Sequence, residues 1–116
     1  MTARMDEMMR DCIDECSSCH DVCMETMAHA VETGGKLTAS PHVLLLADCA
    51  EICQTSADFM LRGSDEHARI CAACAALCQR CAEDCDQFAG DDVMHACAEA
   101  CRGCADSCEA MAAARA

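Results

Sequence analysis

Along this chain the apolar and polar positions do not alternate residue by residue, as they would in a half-buried strand. They recur at steps of three and four, the spacing that puts side chains on one face of a helix. Breaks in the pattern are few. Thr2 reads as the N-cap of a first helix that runs to about Thr33, where Gly34 and Gly35 stop it. Ser40-Pro41 supplies a cap followed by proline at the first helical position of a second helix, which runs to Arg62 and ends at Gly63. Ser64 caps a third helix whose first turn carries Asp65 and Glu66, favourable at the positive end of the helix dipole. Gly90 ends it, and Asp91 or Asp92 begins a fourth that continues to about Ala114. Between the breaks the chain is rich in Ala, Glu, Met and Cys and poor in β-branched residues. Loops this short force neighbouring helices to run antiparallel. The predicted fold is all-α, one domain over residues 1–116, an up-down-up-down four-helix bundle.

The residues that fill the inward positions are cysteines. The first helix carries Cys12, Cys16, Cys19 and Cys23; the second Cys49 and Cys53; the third Cys71, Cys74, Cys78, Cys81 and Cys85; the fourth Cys97, Cys101, Cys104 and Cys108. At 100° per residue each set falls in a stripe roughly 60–80° wide. These are the positions of a bundle that face its axis, where Leu and Ile normally sit. Asp14, Glu15, Glu51, Glu83 and Asp106 take outward faces. Composition sharpens the point: 15 of 116 residues are cysteine, with no Trp, no Tyr and only Phe59 and Phe88 as aromatics. One or two inward cysteines would be small hydrophobes filling a core. Fifteen, with few large apolar residues to replace them, call for another explanation.

Charge narrows the classes. Eight Lys and Arg against 21 Asp and Glu give a net charge of −13, which repels a phosphate backbone and excludes nucleic acid as a leading partner. No apolar run approaches the ~20 residues of a membrane span. The N-terminal stretch MTARMDEMMRDCIDEC is acidic and shows no secretory signal, so the expected location is cytoplasmic. There thiols stay reduced, and dense cysteine points to metal or redox chemistry rather than a disulfide framework.

Zinc favours four ligands, usually from two CxxC knuckles on turns. Here CxxC occurs four times and CxxxC seven times, all inside predicted helices. Helical i, i+3 and i, i+4 pairs bring two or three sulfurs around one small soft ion, and Cu(I) is the soft ion thiolates select. If each thiolate bridges two ions and each ion takes two thiolates, the tube holds about one Cu(I) per cysteine. Each Cu⁺ replaces a thiol proton, so the core stays near neutral. The ferredoxin run C-x₂-C-x₂-C-x₃-C-P is missing, and Pro41 is not next to a cysteine. Catalysis has little support: no Ser/His/Asp set, no phosphate loop, and no cysteine singled out as a nucleophile. Two alternatives stand beside copper storage: a thiol redox sensor, and a general soft-metal or zinc buffer.

The segments CIDECSSCHDVC, CAEIC, CAACAALCQRCAEDC and CAEACRGCADSC resemble those of the bacterial copper storage proteins, over about Cys12 to Cys108. The resemblance implies cytosolic storage of many Cu(I) ions on the fifteen thiolates and assembly as a homotetramer. A copper chaperone or a small thiol carrier is the expected partner. One departure is the second helix, whose stripe continues through Ser56 and Met60, so sites near Ser56 are expected to be missing or weaker.

Past the cysteines, the stripes carry thioether and imidazole groups, both acceptable to Cu(I). Met5, Met8, Met60, His67 and Met111 are expected to meet at one end, and His42, Met27 and Met94 at the other. They are candidate entry or exit ligands, against the plainer reading that Met fills bundle ends. His20, His29 and His95 lie off the stripes and are expected at the surface, and Phe59 and Phe88 are expected to seal helix contacts.

Overall fold

The computed structural model describes residues 6–39 and 41–115. Its four α-helices are α1 (Glu7–Thr33), α2 (His42–Leu61), α3 (His67–Cys85) and α4 (Asp92–Arg115), with a short 3-10 helix, Gly35–Thr38, between the first two. Each helix packs on two neighbours: α1 on α2 and α4, and α3 on α2 and α4. The result is the expected antiparallel four-helix bundle, 49 × 20 × 19 Å. Among the described residues no helix is long and apolar enough to cross a membrane.

The helix ends follow local chemistry, with some differences from the sequence reading. Thr2 lies outside the described residues, and α1 is capped by Asp6, whose carboxylate accepts the Met9 N–H at 2.9 Å. At the other end Gly34, at φ 75°, donates its N–H to the Ala30 carbonyl, a left-handed stop that suits glycine. Ser40 also lies outside the described residues, and Pro41 occupies the cap position of α2 rather than its first turn. Ser64 does cap, but one turn early: its hydroxyl accepts the Glu66 N–H at 3.1 Å, and regular helix begins at His67. Asp91 caps α4 by accepting the Met94 N–H at 3.0 Å.

The largest difference is at the end of α3. The breaker residues predict a helix running to Gly90, whereas α3 stops at Cys85. Tight bonds from Gln87 N–H to Asp84 and from Phe88 N–H to Cys85 turn the chain instead. The turn folds Phe88 back over the bundle, where it packs on the core with its ring centroid 4.7 Å from that of His42. Packing of one aromatic ring thus outweighs helix propensity in 86–90. Phe59 does not play the matching role: the Arg62 guanidinium lies over its ring at 4.6 Å, at its own helix end.

The core is built from small side chains. All fifteen cysteines are buried, flanked by Ala30, Ala50, Ala57, Ala75, Ala82, Ala98 and Ala105. The large fully buried residues are Leu46, Met60 and Met94. Each bears much of the apolar burial that a Leu-rich bundle would spread over many positions. Leu46→Ala is therefore expected to cost about 2–5 kcal/mol, whereas Leu44→Ala, at a position 60% exposed, should change stability by less than about 0.5 kcal/mol. Urea unfolding followed by helix circular dichroism on copper-free protein checks both.

Candidate metal centre

Steps of four and three residues repeat with a mean period of 3.5, which keeps one stripe facing the axis along a supercoiled bundle. On all four helices that stripe is the cysteine series, so the fifteen sulfurs converge on one line. Five groups of sulfurs lie with their atoms within 4.8 Å of one another. From the end where α1 begins they are Cys12/Cys71/Cys108, Cys16/Cys74/Cys104/Cys108, Cys19/Cys53/Cys78/Cys104, Cys19/Cys23/Cys49/Cys101 and Cys23/Cys81/Cys97/Cys101. Successive groups share a sulfur: Cys108, then Cys104, then Cys19, then Cys23 and Cys101. Cys85 lies outside these groups but faces Cys81 and Cys97.

Contacts between sulfurs run along the whole line. They include Cys16 to Cys108 at 3.4 Å, Cys49 to Cys78 at 3.5 Å, Cys53 to Cys78 at 3.6 Å, Cys19 to Cys101 at 3.8 Å and Cys23 to Cys97 at 3.9 Å. All fifteen are free thiols. Burial opposes ionisation all along the line, while contacts between thiols act in both directions: Cys101 foremost pulls Cys19, Cys49 and Cys97 below the ordinary value, and Cys104 foremost pulls Cys74 below it. Neighbouring thiols hold Cys53 and Cys108 (Cys104 foremost) and Cys101 (Cys19 foremost) well above the ordinary value of 9.0, and burial adds to the effect. A soft cation that displaces those protons removes the obstacle, because it supplies the positive charge a buried thiolate lacks.

The α2 stripe runs out of cysteine where expected. Ser56 occupies the next inward position, fully buried, with its hydroxyl 3.5 Å from Cys71 Sγ and 4.0 Å from Cys108 Sγ. Beyond it, at one end, lie Met60, His67 and Met111, all buried, with Met60 Sδ 3.9 Å from Cys71 Sγ. His67 Nδ1 bonds to the Ser64 carbonyl at 2.8 Å, so Nδ1 carries the proton and Nε2 keeps its lone pair. Met5 lies outside the described residues. Met8 does not join this end: it is exposed, and Met9 packs against the core instead. The alternation explains this, because three residues before Cys12 is Met9, whereas a straight helix at 100° per residue places Met8 and Met9 about equally far from the stripe.

At the other end His42 and Met94 are buried, with His42 Nε2 3.3 Å from Met94 Sδ and Nδ1 paired with the Asp84 carboxylate. Asp84 was not foreseen from the sequence; nothing local marks it, since it meets His42 only through the packing of α2 on α3. Met27 is not on this inward line. The continuing positions are Thr26 and Ala30, both buried, while Met27 is half-buried and borders a surface groove with His20 and Met24. His95 is exposed as expected. His20 and His29 are half-buried rather than free at the surface, because each has a partner: His20 Nδ1 bonds to the Ala50 carbonyl at 2.8 Å, and His29 Nε2 to Asp91 at 2.9 Å.

Comparison with known proteins follows the same line of residues. The family model described as "Csp: Copper storage protein" matches residues 5–113. Among solved structures, a Nitrosospira multiformis protein is 41% identical, with 95% of this chain and 99% of that one covered and a TM-score of 0.89. The Cu(I)-bound copper storage protein BsCsp3 is 31% identical, covering 91% of this chain and 99% of its own, with a TM-score of 0.86. The copper storage protein Ccsp of Streptomyces lividans, loaded with 10 copper equivalents, is 27% identical over 97% of this chain and 93% of its own, with a TM-score of 0.85. No curated protein matches the chain. A family match over nearly the whole chain, together with the fold shared with these structures, places it: the chain belongs to the copper storage protein family.

Proposed function

We infer that this chain stores Cu(I), with all fifteen core cysteines, Cys12 to Cys108, as ligands. The observation that carries this reading is the ladder of buried sulfur groups joined by shared members. A set of isolated four-sulfur sites would suit one zinc each. Shared sulfurs suit bridging thiolates instead, and bridging is what lets low-coordinate Cu(I) approach one ion per cysteine while each ion replaces one proton. Storage on such a ladder needs no movement of the helices, because the sulfurs already meet.

Several finer points belong to the same reading. Met60, His67 and Met111 at one end, and His42 and Met94 at the other, serve as entry or exit ligands. No catalytic step is assigned, since no one thiol is set apart as an exposed nucleophile. A reducing cytoplasm suits a core whose sulfurs stand as close as 3.4 Å, because oxidation would pair them. Self-association as a homotetramer is supported by the apolar side chains Met24, Val31, Leu44 and Leu61, which α1 and α2 leave exposed. A copper chaperone or a small thiol carrier delivers the metal. The competing redox reading has its own observation in the short Cys16 to Cys108 contact.

An anaerobic titration of reduced protein with Cu(I) against a strong competing chelator, run beside Zn(II), decides between them. The expected result is Cu(I) uptake near the thiol count, with zinc bound weakly. Uptake of one or a few ions, or prior disulfide formation, overturns storage. Replacing Cys78 and Cys81 with Ser should lower capacity by a few ions while the far-ultraviolet spectrum stays helical; unchanged capacity would remove both from the site. Copper binds the preassembled sulfur ladder of the folded chain more tightly than the scattered thiols of the unfolded one, so loading with Cu(I) should raise the melting temperature, by up to roughly 10 °C for one site at a hundredfold above its dissociation constant.

The pH response of the copper-free protein follows from the raised thiols. Below the ordinary value of 9.0 the raised thiols, Cys53, Cys101 and Cys108 among them, keep their protons in both the folded and the unfolded chain. Above it the unfolded chain loses protons that these raised thiols retain when folded, so through them folding stability should fall as pH rises. Urea midpoints at pH 7 and pH 10 should show this decline without copper and a smaller one with the ladder loaded.

A further inference from the structure

The ladder does not end uniformly. Four of its groups offer four sulfurs, but Cys12, Cys71 and Cys108 form a group of three. One sulfur comes from each of α1, α3 and α4, and α2 contributes the hydroxyl of Ser56 in place of a fourth. Cys12 and Cys108 stand 3.7 Å apart, and all three sulfurs lie within 4.8 Å of one another. A hydroxyl is a poor partner for a soft ion, so the group presents three soft donors and one side without any.

We propose that Cys12, Cys71 and Cys108 form a binding site for trivalent arsenic or antimony, taken up from water as the neutral trihydroxide. Such an ion makes three bonds to sulfur in a pyramid and carries a lone pair on its fourth side. Three donors from three helices supply the pyramid, and the Ser56 side leaves the lone pair unopposed by a fourth thiol. The reaction balances without any change of oxidation state: As(OH)₃ with three thiols gives As(SR)₃ and three waters. Each S–H proton leaves on a departing hydroxide, and three As–S bonds replace three As–O bonds.

Charge favours this ligand at this place. The protein carries a net charge of −13, which repels anions, but the trihydroxide is neutral and approaches freely. The product is neutral as well, so no net charge is buried among Cys71, Met60 and Met111. Position matters too. This group shares only Cys108 with the next, whereas the three middle groups share members on both sides and the group at the far end shares two, Cys23 and Cys101. Capture of three sulfurs here disturbs the remaining ladder least, so the first equivalent belongs at this end.

The test uses copper-free, reduced, full-length protein titrated anaerobically with sodium arsenite. It is independent of the Cu(I) titration, so failure of one reading leaves the other measurable. Native mass spectrometry counts arsenic per chain, and thiol assay counts sulfurs consumed. Without Trp or Tyr the near-ultraviolet As–S absorbance is easily read. The first equivalent should consume three thiols per arsenic. Cys71→Ser and Cys12→Ser should each weaken it by more than about tenfold, the loss that even an outer partner of a metal ligand can cause. Cys49→Ser, in mid-ladder, and Ser56→Ala should leave it unchanged, with circular dichroism confirming that every variant remains helical. Consumption of fewer than three thiols, equal weakening by Cys49→Ser and Cys71→Ser, or a first equivalent that survives both Cys71→Ser and Cys12→Ser would overturn the proposal.

Discussion

Fifteen sulfurs confined to one axis must be one another's neighbours, and the rest of the bundle is arranged around that constraint. A cysteine reaches only one atom beyond Cβ, so four helices can bring their sulfurs together only by packing close. Alanine beside the stripe permits this: Ala50 and Ala57 on α2, Ala75 and Ala82 on α3, and Ala98 and Ala105 on α4 are all buried where a larger residue would hold the helices apart. The cost falls on stability. Cysteine and alanine bury little apolar surface each, and Leu46, Met60 and Met94, placed beyond the cysteines, carry a disproportionate share of what remains.

The same crowding ties metal to protons. Burial in a dry core disfavours the charged thiolate, and at Cys53, Cys101 and Cys108 neighbouring thiols add to that effect. In copper-free protein this keeps the core neutral and the chain foldable. It also means that any cation entering must displace a proton for every charge it brings, or leave a buried charge uncompensated. Monovalent copper satisfies this with one thiol per ion. Divalent zinc in a four-thiolate site leaves two negative charges, which is tolerable at the surface and costly on this axis. The shared membership of the sulfur groups and the charge rule therefore favour the same ion.

Much of this was legible in the sequence because spacing carries it. The helix count, the antiparallel order and the inward direction of every cysteine follow from steps of three and four, and Ser56 was marked as the missing sulfur of α2. What escaped depended on distances that spacing does not encode. Met8 and Met9 sit about equally far from the stripe on a straight helix, and it is Met9 that packs inward, in step with the four-three alternation of the cysteines. The early end of α3 depends on Phe88 meeting His42, a contact between segments more than 40 residues apart. His42, His20 and His29 acquired partners in the same way, through a carboxylate or carbonyl on another helix or loop that no local motif announces.

The two ends of the ladder differ chemically, and the difference traces to register. Stripes that leave the cysteines toward the start of α1 reach Met60, His67 and Met111, with the His67 Nε2 lone pair uncommitted by its Nδ1 bond to Ser64. Toward the other end they reach Ala30, Leu46, His42 and Met94, where Phe88 covers His42 and both imidazole nitrogens already face a partner. The α2 register supplies an oxygen at Ser56 on the first side and Leu46 on the second, so the sulfur line ends beside a polar group in one direction and against apolar packing in the other. A tube built from one repeated residue thus acquires direction from the few positions where the repeat is broken. Those positions, rather than the cysteines themselves, distinguish one end of the bundle from the other.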